Sequence, residues 1–312
     1  GTRWPGAERP ARARASEDEG RVAGSASGGN RHGRATPYLL SLPALAYLAV
    51  FFVVPLWALL RTSLSSNTGS VFDPTLSFSW EFSNYSEAFS QYNEQILRSF
   101  EYALSATLLA LLFAYPLAYV IAFKAGKWKN LLLGLVIVPF FITFIVRTLA
   151  WKTIFGDDTF VVSILDALGL TENGRILSTK YAVIGGLTYN FLPFMILPIY
   201  VSIEKIDPRL LEAARDLYSG GFRTFRKVLL PLSMPGVLAG SLLTFIPAAG
   251  DFVNAQYLGG VNQTMVGTVI QSQFLVTKDY PLAAALSFVL MLIILVAVLI
   301  YTRVLGTEDL VT

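Results

Sequence analysis

Apolar residues in this chain gather into long blocks separated by short polar stretches, a pattern unlike the alternation of a half-buried strand or the stripe of an amphipathic helix. Crossing a hydrocarbon layer of roughly 30 Å takes about 20 apolar residues in a helix. Residues 38–60 form the first block of that length, followed by 100–123 and 131–151. The fourth covers 181–203 and the last 282–301. Between them lies a weaker block, 236–258, interrupted by Pro247, Gly250, Asp251 and Asn254. Counting it predicts an all-α integral membrane protein of about six transmembrane helices.

The charges between the blocks predict an orientation. Lys and Arg concentrate in short loops on the cytoplasmic side. The 123–131 connection holds Lys124, Lys127 and Lys129 and no acid, and the loop after the fourth block holds Lys205, Arg209, Arg215, Arg223, Arg226 and Lys227. The first loop instead carries Asp73, Glu81, Glu87 and Glu94, which suits the outer face. The third is mixed, with Asp157, Asp158 and Asp166 against Lys152 and Arg175. This pattern places both termini in the cytoplasm and the chain in the inner (plasma) membrane as a multi-pass protein.

Composition then removes whole classes of function. Of 312 residues, 54% are hydrophobic and 14% charged, against about a quarter charged in a soluble domain. There is no Cys, which excludes disulfides and thiolate chemistry, and the single His, His32, lies in the N-terminal tail. An intramembrane hydrolase or metal enzyme is thereby disfavoured. No Gly-rich phosphate loop ending in Lys-Ser or Lys-Thr is present, so any ATP would be bound elsewhere. Residues 1–36 are rich in Gly, Ala, Arg and Ser and read as a disordered basic tail. Its Arg12, Arg14, Arg31 and Arg34 read as a positive-inside anchor for the first helix rather than a contact with anionic lipid or nucleic acid. Residues 37–306 form the transmembrane domain, and 307–312 a short cytoplasmic C-terminal tail.

The most informative stretch is the loop at about 204–235. Asp207 is a good N-cap and Pro208 fits a first helical turn. Leu210, Leu211, Ala214 and Leu217 fall on one predicted stripe, and Gly220 and Gly221 would end the helix by adopting positive φ. A second short helix would oppose Phe222, Phe225, Val228 and Leu229 to Arg223, Arg226 and Lys227, with Pro231 closing it.

This loop resembles the EAA loop of ABC importer permeases. The matching residues are Glu212-Ala213-Ala214 and, further on, Val228, Leu230 and Pro231. Tyr218 stands at the usual Gly position, with Gly220 and Gly221 just beyond. The resemblance covers roughly residues 38–305. It narrows, through residues 211–217, 230–236 and 247–260, to the spermidine/putrescine permeases, and there to the first of their two permease subunits. Permeases for ferric iron and thiamine share much of this pattern. The resemblance implies a type I ABC importer permease fold whose coupling helices enter a cleft of the ATPase, with Glu212, Ala213, Ala214, Asp216, Leu217, Gly220, Leu230 and Pro231 carrying the coupling. It also implies a second homologous permease subunit, an ATPase dimer that binds the ATP and Mg, an extracytoplasmic substrate-binding protein, and no cofactor on this chain. A gradient-driven secondary transporter would need no ATPase, and only this loop separates the two readings.

For a cationic substrate, Asp251 is the first candidate contact. It sits about 22 Å along its helix from Gly236 at 1.5 Å per residue. A carboxylate inside the bilayer costs roughly 2.5–3.5 kcal/mol on insertion scales, so it should face protein or water. Equally, the helix could end near Ala249 and leave Asp251 as an interfacial cap. Tyr189 and Asn190 either line the path or simply bond neighbouring helices. Arg147 and Glu101, near helix ends, read as snorkelling or locally paired charges. Gly236 and Gly240 make a small-xxx-small packing face.

Overall fold

The computed structural model of the chain describes residue 1 and residues 36–305, apart from 70–74, 158, 168, 170, 172–173 and 219. The tail expected over 1–36 falls almost wholly outside the described residues, and the one over 307–312 wholly so. The chain forms two compact units, Gly1–Trp57 and Ala58–Thr312. The first carries helix α1 (Thr36–Leu48), a π-helical turn at Ala49–Val53 and the start of α2 (Val54–Ser63). Proline has no N–H to donate and its ring crowds the carbonyl four residues back. The wide turn just before Pro55 gives that ring room, so the apolar run stays helical.

In the second unit, β1 (Ser65–Asn67) and β2 (Leu76–Phe78) pair antiparallel, Ser65 opposite Phe78. The all-α expectation omits this hairpin, because strands of three residues show no readable alternation. Helix α3 (Ser83–Phe123) follows and starts well before the expected block at 100–123, with a non-helical kink at Tyr92. The extra turns are amphipathic: Ala88, Ile96 and Ser99 are buried while the Glu side chains beside them stay in contact with solvent.

The third block departs most from expectation. It is two helices, Gly126–Phe141 and Phe144–Ile154, bent by 98°. Helix α4 (Lys129–Ile137) tightens into a 3₁₀ turn at Val138–Phe141, which holds Pro139. Ile142 and Thr143 are then extended, at ψ 134° and 146°, before α5 (Phe144–Ile154) begins. The apolar block over 131–151 conceals this break because an extended Ile and Thr are as apolar as helical ones. Helix α6 (Phe160–Ala167) lies in the following loop. Arg175 closes that loop with an ion pair to Asp157, its Nε donating at 2.8 Å.

Helix α7 (Lys180–Glu204) is the central element and packs against both α3 and the later helix at Leu230–Ala249. On α3, Ala103, Ala106, Ala110, Ala114 and Ala118 are fully buried at helical spacing. Ala110, Ala114 and Ala118 pack with Met195, Ile196, Ile199 and Ile203 of α7, and Ala103 and Ala106 with its Val183, Leu187 and Phe191. Between helices in lipid there is little hydrophobic drive, so such close approach supplies the dispersion contact instead.

After α7 come α8 (Pro208–Tyr218), α9 (Gly221–Thr224), a π turn at Phe225–Leu229 and α10 (Leu230–Ala249). Pro231 does not close a short helix as expected. Residues Gly221–Ala249 form one membrane-length helix, because the π turn accommodates the proline as it does at Pro55. Gly236 lies against α7 so closely that a Cβ there would stand 2.5 Å from the Pro198 carbonyl oxygen. Gly240 meets Met195 in the same way, so the small-residue face is indeed a packing seam.

The weak block at 236–258 is not one helix either. Helix α10 stops at Ala249, α11 (Val253–Leu258) follows a turn, and α12 (Val266–Ser272) comes next. Lys278, in the left-handed region at φ 57°, redirects the chain into α13 (Tyr280–Leu305), which packs on α3. Five helices among the described residues are long and apolar enough to cross a membrane, and six spans result if the bent pair counts as one.

Candidate functional site

Two places gather the residues singled out by sequence. The first is the loop between α7 and α10. Asp207 caps α8 as expected: its Oδ1 accepts the backbone N–H of Arg209 at 2.9 Å. The predicted stripe, however, divides. Leu211 and Ala214 are buried against the chain, whereas Leu210 and Leu217 are exposed, Leu217 at 79%. Glu212, Ala213 and Asp216 share the exposed face. Ala214 thus helps seat α8 and presents little free surface in this subunit.

The glycines also act differently from the prediction. Gly220 is extended (φ −164°, ψ 134°) and is the N-cap residue of α9, which Gly221 begins. Neither has positive φ. Leu230 is half-buried and Pro231 exposed at the start of α10. Tyr115 of α3 ties this region down, its hydroxyl 2.7 Å from that of Ser233. Lys129 of α4 pairs with Glu204 at the end of α7 and lies 5.5 Å over the Tyr200 ring.

The second place is the break after α10. Asp251 is buried, 7% exposed, and its Oδ1 accepts the backbone N–H of Asn254 at 2.7 Å. It is thus a helix cap, as one reading allowed, but a cap enclosed by protein. Asn254 in turn accepts from Asn190 Nδ2 at 3.0 Å, and Asn190 Nδ2 also donates to Thr148 Oγ1 at 3.1 Å. All three side chains are buried, and Asn190 Oδ1 has no hydrogen-bond partner among the described residues. Gly186 makes this possible: a Cβ there would stand 2.6 Å from Asn254 Oδ1 and 2.3 Å from Leu258 Cδ1.

Tyr189 is half-buried and packs edge-on to Trp151 at 5.1 Å, beside the cluster but outside its hydrogen bonds. Asp251, Asn190 and Tyr189 are thus brought together by α5, α7 and α11. Thr148 and Asn254 are members that sequence reasoning passed over; a polar residue in an otherwise apolar block was the available signal for both. Arg147 contradicts its expected snorkelling role, being only 8% exposed, while Glu101 is exposed.

Five or six membrane-length helices, with an exposed capped helix between the fourth and fifth spans, make up the described domain. Residues 110–305 match the family of binding-protein-dependent transport system inner membrane components, and the chain belongs to that family. It is 38% identical over 260 residues to the spermidine/putrescine transport system permease protein PotB of Haemophilus influenzae, covering 83% of this chain and 90% of that one. The protein of the same name from Escherichia coli K12 is 37% identical over 261 residues, covering 83% and 94%. Among solved structures, a bacterial ABC transporter involved in the import of the acidic polysaccharide alginate superimposes at a TM-score of 0.62. It has 18% identity and covers 95% of this chain and 99% of that one, a likeness of fold.

Proposed function

We propose that this chain is the first permease subunit of an ATP-driven importer of polyamines, spermidine or putrescine. It supplies half of an alternating-access pore in the inner membrane, with both termini in the cytoplasm. The carrying observation is the identity to the PotB proteins over 83% of the chain. The exposed face of α8 supports the coupling role. Glu212, Ala213, Asp216 and Leu217 form the surface that an ATPase subunit meets. Ala214, Gly220, Leu230 and Pro231 shape the helix and hinge beneath that surface. The ATPase dimer holds ATP and Mg, so this chain needs no cofactor and catalyses no bond chemistry. A second homologous permease completes the pore, and an extracytoplasmic binding protein delivers the substrate. The tails at 1–36 and 307–312 flank the pore-forming domain. Along the path, Asp251 offers a carboxylate to an ammonium group, Asn190 a free carbonyl oxygen, and Tyr189 an aromatic face.

The test is purification of the tagged chain from its own membrane, followed by reconstitution with whatever accompanies it. A P-loop ATPase and a second six-span chain should co-purify, and ATP-driven uptake should be competed by spermidine and putrescine. A chain that purifies alone and transports on an ion gradient would be a secondary transporter. Competition by ferric iron or thiamine, with none by polyamines, would reassign the substrate.

A further inference from the structure

Arg147 is a buried cation that nothing in the proposed pathway uses. It lies in the first turn of α5, where the helix dipole disfavours positive charge. Its Nε and Nη1 are buried and have no hydrogen-bond partner among the described residues. The ion pairs among those residues join Glu94 to Arg98, Lys129 to Glu204 and Asp157 to Arg175, so none neutralises it. An unpaired charge so placed is costly in lipid and marks a functional position.

What holds the guanidinium is aromatic. Its Cζ lies 5.5 Å from the ring centre of Phe144 and 5.9 Å from that of Phe140. The wall continues onto α7, Phe144 meeting Phe191 at 5.7 Å and Phe140 meeting Phe194 at 5.0 Å. Faces of this kind bind alkylammonium groups by the same attraction. Phe194 also lines a groove of about 960 Å³ between α7 and α10, which runs past Val201, Ser202 and Leu243 to Lys205 and Asp207. On the other side, Arg147 is next in sequence to Thr148 of the polar cluster. Through Phe194 the aromatic box thus borders a groove that ends at the α8 cap, and Phe191 of its wall is next in sequence to Asn190.

We propose that Arg147 is a resident cation that seals the substrate path, its guanidinium occupying in this conformation the aromatic box an ammonium group of the substrate must enter. The inference rests on the pathway reading above. Removal of the plug needs only a movement of α5, which is joined to α4 through the two extended residues Ile142 and Thr143 and not through a continuous helix.

The complete transporter, in liposomes loaded with labelled putrescine and without ATP, tests this. Arg147→Gln should raise passive efflux roughly tenfold, Arg147→Lys should stay sealed, and guanidinium added to the buffer should slow the Arg147→Gln leak. Efflux from Arg147→Gln equal to the unaltered transporter overturns the proposal. So does a leak of equal size in both variants, or one that guanidinium leaves unchanged. If Arg147→Gln does not assemble, Phe144→Leu must leak in its place, and a sealed Phe144→Leu overturns the proposal equally. Asp251→Asn separates the two ideas. Normal uptake in that variant removes Asp251 from the path while a leaking Arg147→Gln keeps the seal.

Discussion

The same residue does the same local task at two ends of α10 and its preceding loop, in opposite surroundings. Asp207 accepts a backbone N–H at the start of α8 at 2.9 Å, and Asp251 does so at the start of α11 at 2.7 Å. Asp207 is exposed, so water carries its charge; Asp251 is 7% exposed, so its carboxylate has lost most of that hydration. An asparagine caps a helix about as well as an aspartate. Capping alone therefore accounts for the acid at 207 but leaves the acid at 251 unexplained. The proposed pathway would give the charge at 251 a use, as a partner for an ammonium group of the proposed substrate.

The largest expected effect lies on the exposed side of this comparison. Glu212→Lys reverses a charge on the exposed face of α8 that is proposed to meet the ATPase. ATP-driven uptake should fall about 100-fold, the scale of losing a close charge pair at an interface, while the complex still purifies from the membrane. Undiminished uptake would end the coupling assignment. Next comes the comparison itself. Asp251→Asn should lower polyamine uptake about tenfold with assembly intact, while Asp207→Asn should leave it within about twofold, since the cap survives in both. Equal effects at both positions would mean that each acid is only a cap. The smallest is structural: Gly186→Val pushes a side chain into Asn254 and Leu258. Such overpacking costs about 1–3 kcal/mol, to be read as a lowered thermal midpoint of the purified complex; an unshifted midpoint would show that α7 and α11 can separate freely.

The spans were legible because hydrophobic length is a property of the chain itself. The observed helices Lys180–Glu204 and Tyr280–Val304 lie within a few residues of the blocks that predicted them. The cap at Asp207 was legible for the same reason, its partner being two residues away. What local reading got wrong are the places where a neighbour or a helix irregularity intervenes. Pro231 is a helix breaker by itself, yet a π turn absorbs it. Leu210 and Leu217 share a stripe with Leu211 by spacing, but α8 buries only the side that reaches the rest of the chain. Arg147 near the end of an apolar block reads as snorkelling until the 98° bend turns it inward.

By itself, then, the sequence determined the class of protein, the number of membrane blocks and the cap that starts α8. Each follows from apolar length, charge placement or residues within one turn of each other. The polar cluster was decided only by tertiary structure. Thr148 and Asn190 stand 42 residues apart and Asn190 and Asn254 stand 64 apart. They meet because Gly186 lets α11 approach α7 and because the extended Ile142 and Thr143 turn α5 toward both. No spacing along the chain encodes those contacts; they arise from how closely three helices can pack.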